Sequence, residues 1–204
     1  MLGSTFVNAI NNIWPMLIIF LVVLIVVRIF YYICNSKDFV LYKELIYLCF
    51  LVYALLLFEL VTDTELSSNG GINLVPFTEI FRYKIGSRLF LQNVVGNIVI
   101  FMPFGYFISS YIKSKKMFSI FIITVITSTT IELVQHKIGR SLDVDDIILN
   151  VLGGIFGFLI YIGLNAIKKY LPSFLQREFF YNILTLLIIA FIIFYCVRFL
   201  GMGW

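Results

Sequence analysis

The sequence predicts an all-α fold: a polytopic membrane helical bundle of about six transmembrane helices. Three observations carry that expectation. Of 204 residues, 61% are hydrophobic and 13% are charged, against roughly 45–50% and about 25% in a soluble domain. The mean hydropathy is +1.03. The apolar residues come in continuous runs near the roughly 20 residues that a helix needs to cross about 30 Å of hydrocarbon. They do not alternate with period two, as the strands of a membrane barrel would. A water-soluble fold of this size has too little interior to hide such an excess, and a disordered chain needs the opposite composition.

Taken in order, the six expected spans cover residues 14–33, 45–61, 89–112, 117–135, 147–167 and 179–200. Arg28 falls near the end of the first, where Pro15 lies close to the start, and Glu59 lies near one end of the second. Gln92, Asn93, Asn97 and Pro103 interrupt the third, and Pro103 with Gly105 is expected to bend it. Lys113, Lys115 and Lys116 close the third span, and Lys168 and Lys169 close the fifth. No basic stretch precedes the first span, so it is expected to be retained rather than cleaved. Residues 62–88 form the one long connection, with Ser67-Ser68-Asn69-Gly70-Gly71 as a turn signal. Cys34, Cys49 and Cys196 are odd in number and sit in or beside spans, which suits apolar packing rather than a disulfide framework or a metal cluster. Trp14 and Trp204 read as interface anchors.

The net charge of +4 reports topology rather than nucleic-acid binding. On one side fall Arg28, Lys37, Lys43, Lys113, Lys115, Lys116, Lys168, Lys169 and Arg177. The other side holds Arg82, Lys84, Arg88, Lys137, Arg140 and Arg198. Nine against six places both termini outside. The second and fourth loops, which carry the polar motifs, then face the cell envelope.

Polar side chains inside lipid are expensive, about 2.5–3.5 kcal/mol for a charge at mid-bilayer, and survive where they pair or line a wet cavity. Glu132, Gln135 and His136 share one helix face at i, i+3 and i+4. Asp143, Asp146 and Asn150 share another at the start of the fifth span, and Gly139 permits a tight turn between the two. Asp143 or Asp145 is placed to cap the fifth helix, and Arg140 is the natural counter-ion. Asn93 and Asn97 add an i, i+4 pair, which also suits plain interhelical hydrogen bonding. Gly153, Gly154 and Gly157 give the fifth helix a small-residue face for close packing. The candidate catalytic residues are therefore Glu132, Asp143 and Asp146. The candidate substrate-binding residues are Asn93, Asn97, Gln135, Arg140 and Asn150. No metal or cofactor is expected, and a carboxylate-only site would suit Mg²⁺ or Mn²⁺ rather than zinc.

These residues resemble the VanZ family, membrane proteins named for a teicoplanin-resistance determinant. The matching pieces are Asn73-Leu-Val-Pro76-Phe77, Asn97-Ile-Val-Ile-Phe101-Met-Pro103-Phe-Gly105, and a longer pattern. That pattern runs Glu132, Gln135, Arg140, Asp143, Asp146, Asn150, Gly153, Gly154 and Gly157 in order. The resemblance covers about residues 72–165. It organises the chain as two N-terminal helices and their loop (1–71), a VanZ-like core with three helices (72–167) and a C-terminal helix (168–204). It implies a bacterial envelope protein that lowers susceptibility to teicoplanin or other lipoglycopeptides.

Three mechanisms follow. In the first, a non-enzymatic factor alters access of a lipid-anchored glycopeptide to its cell-wall target, with Arg140 on a phosphate or carboxylate. The second is an intramembrane enzyme on a lipid-linked substrate, with Glu132 as general acid or base. No nucleophile motif supports it. The third is a small transporter or flippase, without the inverted repeat that such folds show. The partners expected are the lipid bilayer and a lipid-linked cell-wall precursor or lipoglycopeptide, with no nucleic acid; oligomeric state is left open. Membrane-impermeant thiol reagents applied to intact cells should label a cysteine placed at Ser68 and spare one placed at Lys115; external labelling at Lys115 would invert the topology.

Overall fold

With no water to take up backbone N–H and C=O groups in hydrocarbon, each long apolar run must satisfy them within itself, as a helix. The computed structural model describes residues 2–35, 39–62 and 71–199. Lys37, the run Ser67 to Gly70 and Trp204 lie outside the described residues, as do the side chains of Cys196 and Arg198. The long helices are α1 (Leu2–Asn35) and α2 (Leu41–Thr62), then α5 (Gly96–Ile112), α6 (Met117–Lys137), α7 (Val144–Tyr170) and α8 (Glu178–Phe199). Two short helices, α3 (Thr78–Arg82) and α4 (Arg88–Phe90), precede α5, and α4 runs into α5 through a π-turn at Leu91–Val95. Among the described residues, five helical stretches are long and apolar enough to cross a membrane: Trp14–Asn35, Leu41–Thr62, Arg88–Ile112, Met117–Lys137 and Val144–Tyr170. The sixth expected span coincides with α8, of which the described apolar part is Glu178–Phe191.

Two strands of two residues, β1 (Ile72–Asn73) and β2 (Leu142–Asp143), pair in parallel, Ile72 with Leu142 and Asn73 with Asp143. This bridge draws the α2–α3 connection onto the α6–α7 turn, so the second and fourth loops meet at one end of the bundle. Gly139, at φ 97°, turns the chain out of α6 in a backbone region that side chains rarely adopt.

The core sits between α5, α6 and α7, and small residues make it possible. A Cβ at Gly105 on α5 would overlap the backbone of Gly154 on α7. One at Gly153 would strike the Ile98 carbonyl, one at Gly157 the Met102 carbonyl, and one at Gly154 would meet Thr124 Oγ1 of α6 at 2.6 Å. Backbones this close gain dispersion contacts that lipid tails do not replace. Phe101, Phe104, Ile120, Leu149 and Phe158 fill the space around them. Pro103 stays inside α5 without ending it, and Tyr53 of α2 donates to the Ile100 carbonyl one turn earlier at 2.9 Å.

At the opposite end, Arg28 near the end of α1 is neutralised by Glu44 of α2, its Nε donating to Glu44 Oε2 at 2.6 Å. Tyr32 Oη donates to Glu44 Oε1 at 2.6 Å. Lys43 pairs with Glu178, which brings the start of α8 to the same end. Cys34 and Cys49 are free and exposed.

Span lengths locate the paired strands. Val144–Tyr170 has 27 residues, about 40 Å at 1.5 Å per residue, against roughly 30 Å of hydrocarbon. About one turn at each end of α7 therefore lies at headgroup depth. Alanine at Gly105 or Gly157 should force α5 and α7 apart and destabilise the protein by about 1–3 kcal/mol, the usual range for overpacking. Gly163→Ala, where no neighbouring atom lies within 4 Å, should be neutral or stabilising by up to about 1 kcal/mol through helix propensity. Unfolding of the purified protein against increasing sodium dodecyl sulfate reads the difference.

Candidate functional site

The first turn of α7 carries three carboxylates, and each is used differently. Asp143 is the helix N-cap: its Oδ1 accepts from the Asp145 N–H at 2.9 Å and from Asn73 Nδ2 at 3.2 Å. Burial pushes its carboxyl upward from the ordinary carboxylate range, and those two donors oppose the shift. Asp145 is 1% exposed. Its Oδ1 accepts from the Phe77 N–H at 2.5 Å, and its Oδ2 from the N–H groups of Glu79 at 2.7 Å and Ile80 at 3.1 Å. Asp145 thus caps α3 from another helix. This supports Phe77 at φ 69°, a left-handed conformation that bulky residues seldom take. Asp146 accepts from Asn97 Nδ2 of α5 at 2.6 Å.

Together these elements enclose a polar cavity of about 490 Å³. Five of the predicted residues line it: Asn93, Asn97, Arg140, Asp143 and Asp146. So do Asn73, Glu79, Arg82, Tyr83, Ser141 and Asp145, while Ile72, Ile80, Val94 and Leu149 supply the apolar wall. Asn93 sits within the π-turn and Asn97 just beyond it. A π-turn inserts one residue into the helical register, and such turns gather at functional sites. Glu79 is engaged by Arg82, whose Nη1 donates to it at 3.0 Å. Tyr83 Oη donates to Glu79 Oε2 at 3.3 Å. Burial first, and then the Glu79 charge, push the Tyr83 phenol up, which keeps it a donor.

The remaining predicted residues form a layer behind the cavity rather than its wall. Glu132 is 1% exposed, and its Oε2 accepts from the Asp143 N–H at 3.0 Å. With the Gln135 amide oriented to satisfy both neighbours, its nitrogen donates to Glu132 Oε1 at 3.0 Å and its oxygen accepts from Arg140 Nη1 at 2.8 Å. Asn150 Nδ2 donates to Ser128 Oγ at 2.9 Å and joins α7 to α6. His136 is half-buried, with Nδ1 lacking a hydrogen-bond partner, and it does not line the cavity.

Arg140, expected as the counter-ion of these acids, acts on them at a distance rather than through a direct ion pair. Among the described residues no ion pair joins Arg140 to Glu132, Asp143 or Asp146. Arg140 interacts with Glu132 and Asp146 only at longer range, and its direct contact is Gln135. The physical reason is that these acids are already occupied by backbone N–H groups and amides. The guanidinium is left facing the cavity with donors to spare, since it carries five N–H groups.

Glu79, Arg82, Tyr83 and Asp145 were not among the predicted site residues. Asp145 had one signal, its place at a helix start, which pointed to a cap of α7 rather than of α3. Glu79, Arg82 and Tyr83 reach the site only because α3 is folded against α7. No group of three or more His, Cys, Asp or Glu among the described residues has the arrangement of a metal site.

The comparisons with known proteins cover the stretch of chain that builds the cavity. The family model described as VanZ/LLP1 matches residues 44–169, which holds every cavity residue and more than half of the chain. Protein VanZ of Enterococcus faecium is 29% identical over 93 residues, covering 45% of this chain. The chain spans about half the length of that curated relative, 52%. No solved structure matches. By the extent of the family match, this chain is a member of the VanZ/LLP1 family.

Proposed function

We propose that this protein acts in the bacterial envelope as a VanZ-type factor. On this reading it lowers susceptibility to teicoplanin and related lipoglycopeptides by altering their access to cell-wall precursors. The observation that carries the reading is the cavity of about 490 Å³ at the end of the bundle, where Arg140 keeps unused donors beside Asp146 and two asparagines. A guanidinium of this kind grips phosphate or carboxylate through paired charge-assisted hydrogen bonds. Asn93, Asn97 and Tyr83 supply further polar contacts, and the apolar wall suits the first carbons of a lipid. The cavity belongs to the second and fourth loops, which the count of basic residues assigns to the outer face.

An enzyme acting on a lipid-linked substrate is the second reading, favoured by Asp146, which lines the same cavity as Arg140. Glu132, the acid–base candidate from sequence, fits it less well, because it lies behind the cavity with Oε2 committed to the Asp143 N–H. In both readings Glu132 and Gln135 are positioning residues that aim Arg140.

The test expresses the protein and its Arg140→Ala, Asp146→Asn and Glu132→Gln variants at matched membrane abundance, and reads teicoplanin susceptibility together with the lipid-precursor profile. Losing one charge-assisted contact of about 1.5–3 kcal/mol weakens a ligand roughly 10- to 100-fold. Arg140→Ala and Asp146→Asn should therefore return susceptibility to that of cells lacking the protein, with the precursor profile unchanged. A changed precursor profile favours the enzyme. Full protection by all three variants rejects the cavity as the site.

A further inference from the structure

Residues 71–88 connect two spans, and by that position alone they would be an extramembrane loop. Their side chains do not suit water. Phe81 is 81% and Ile85 83% exposed, and Leu74, Val75 and Phe77 are exposed as well. Scattered exposed apolar side chains are ordinary, but a set this dense marks a contact surface. α3 divides the segment into two faces. Phe77 and Phe81, at i and i+4, have ring centroids 6.2 Å apart and do not line the cavity. Glu79, Ile80 and Tyr83 line it from the other face. Asp145, holding three N–H groups at the start of α3, fixes which face turns outward.

The charge of the segment selects the occupant of that outward face. Arg82 lines the cavity and engages Glu79, the segment's only acid, which leaves Lys84 and Arg88 as the cations for that face. Basic side chains interleaved with Phe, Leu and Ile match the boundary between anionic headgroups and acyl chains. The segment is also tethered to that boundary at both ends, because α2 ends at Thr62 and the next spanning stretch begins at Arg88.

The geometry points to residues 74–88 as a plate embedded in the membrane interface, with Phe77, Phe81 and Ile85 in the outer acyl layer and Lys84 and Arg88 at lipid phosphates. The roof of the cavity is then lipid-facing, and the cavity opens at headgroup depth. Its ligand arrives by lateral diffusion as a lipid-anchored molecule carrying an anionic headgroup. The placement of the plate stands on the side chains above, whereas the statement about the ligand rests on the proposed function.

Spin labels test the placement in the full-length protein. Cys34, Cys49 and Cys196 are replaced by serine, and single cysteines are introduced as Phe81→Cys, Ile85→Cys and, in the α5–α6 turn, Lys115→Cys. Each variant is reconstituted into vesicles of phosphatidylcholine and phosphatidylglycerol. Collision rates are then measured with oxygen, which concentrates in lipid, and with a water-soluble nickel chelate present on both sides. Phe81 and Ile85 are exposed, so labels there should leave the parent's monodisperse elution intact. The oxygen-to-nickel ratio at both positions should exceed that at Lys115 several-fold. Ratios equal to Lys115 place the segment in water and overturn the plate. Protection from both reagents, as a second copy or another protein would give, overturns it equally. A plate confirmed by depth alongside unchanged susceptibility in the Arg140→Ala variant would leave this inference standing and remove the proposed function.

Discussion

The Asp145 carboxylate governs the geometry of everything at the polar end of the bundle. It is almost fully buried, and among the described residues it has no cationic partner within ion-pair distance. A buried charge without compensation is among the costliest arrangements a fold can contain. Three backbone N–H groups at the start of α3 provide that compensation, through charge-assisted hydrogen bonds of the stronger kind. The arrangement is reciprocal. A helix of five residues is too short to persist alone, so α3 exists because a carboxylate on α7 organises its first turn. Without Asp145 the first turn of α3 would lose its cap, and the segment from Gly71 to Ser87 would be held by the two-residue bridge and the Asn73–Asp143 and Tyr83–Asn93 hydrogen bonds.

One step along the helix, Asp143 makes the same kind of bargain with different partners. Its side chain caps α7 and meets Asn73, while its own N–H is taken by Glu132. Glu132, Gln135 and Arg140 then form a chain in which the Gln135 amide donates to Glu132 and accepts from Arg140. Lipid and close packing remove water as an alternative partner, so these groups must satisfy one another. The result is a preorganised arginine, held from behind, with its remaining donors facing an open space. A direct ion pair with Asp146 or Glu132 would have consumed those donors.

Hydropathy makes the spans legible because lipid imposes one requirement, a run of apolar residues, on each of them. The glycine face of α7 was legible for a related reason, since helices that meet at backbone distance leave room only for small residues. The site was legible where its residues recur at helical spacing, as with Asp143 and Asp146. It was not legible where membership depends on a tertiary contact. Glu79, Arg82 and Tyr83 lie in a stretch whose spacing predicts no long element, and strands of two residues are too short to carry a period. The direct contact of Arg140 with Gln135 was not legible, because sequence shows which charges are near in the chain and not which are already satisfied.

These constraints bear on how a small membrane protein can host a polar cavity. A cavity at mid-bilayer would require each lining charge to be neutralised against hydrocarbon. Here the charged lining residues lie in the α2–α5 connection, the α6–α7 turn and the first turn of α7, where water and headgroups solvate whatever the protein leaves open. Asn97, deeper in its span, is bonded to Asp146. The π-turn at Leu91–Val95 lies toward the same end of the bundle, where Asn93 and Asn97, an i, i+4 pair, both line the cavity. Close glycine packing between α5 and α7 occupies the deeper turns, at Gly105, Gly153, Gly154 and Gly157, whereas the π-turn lies nearer the start of its span. With the irregularity at the headgroup end, one helix pair holds both the close contact and the asparagines of the site.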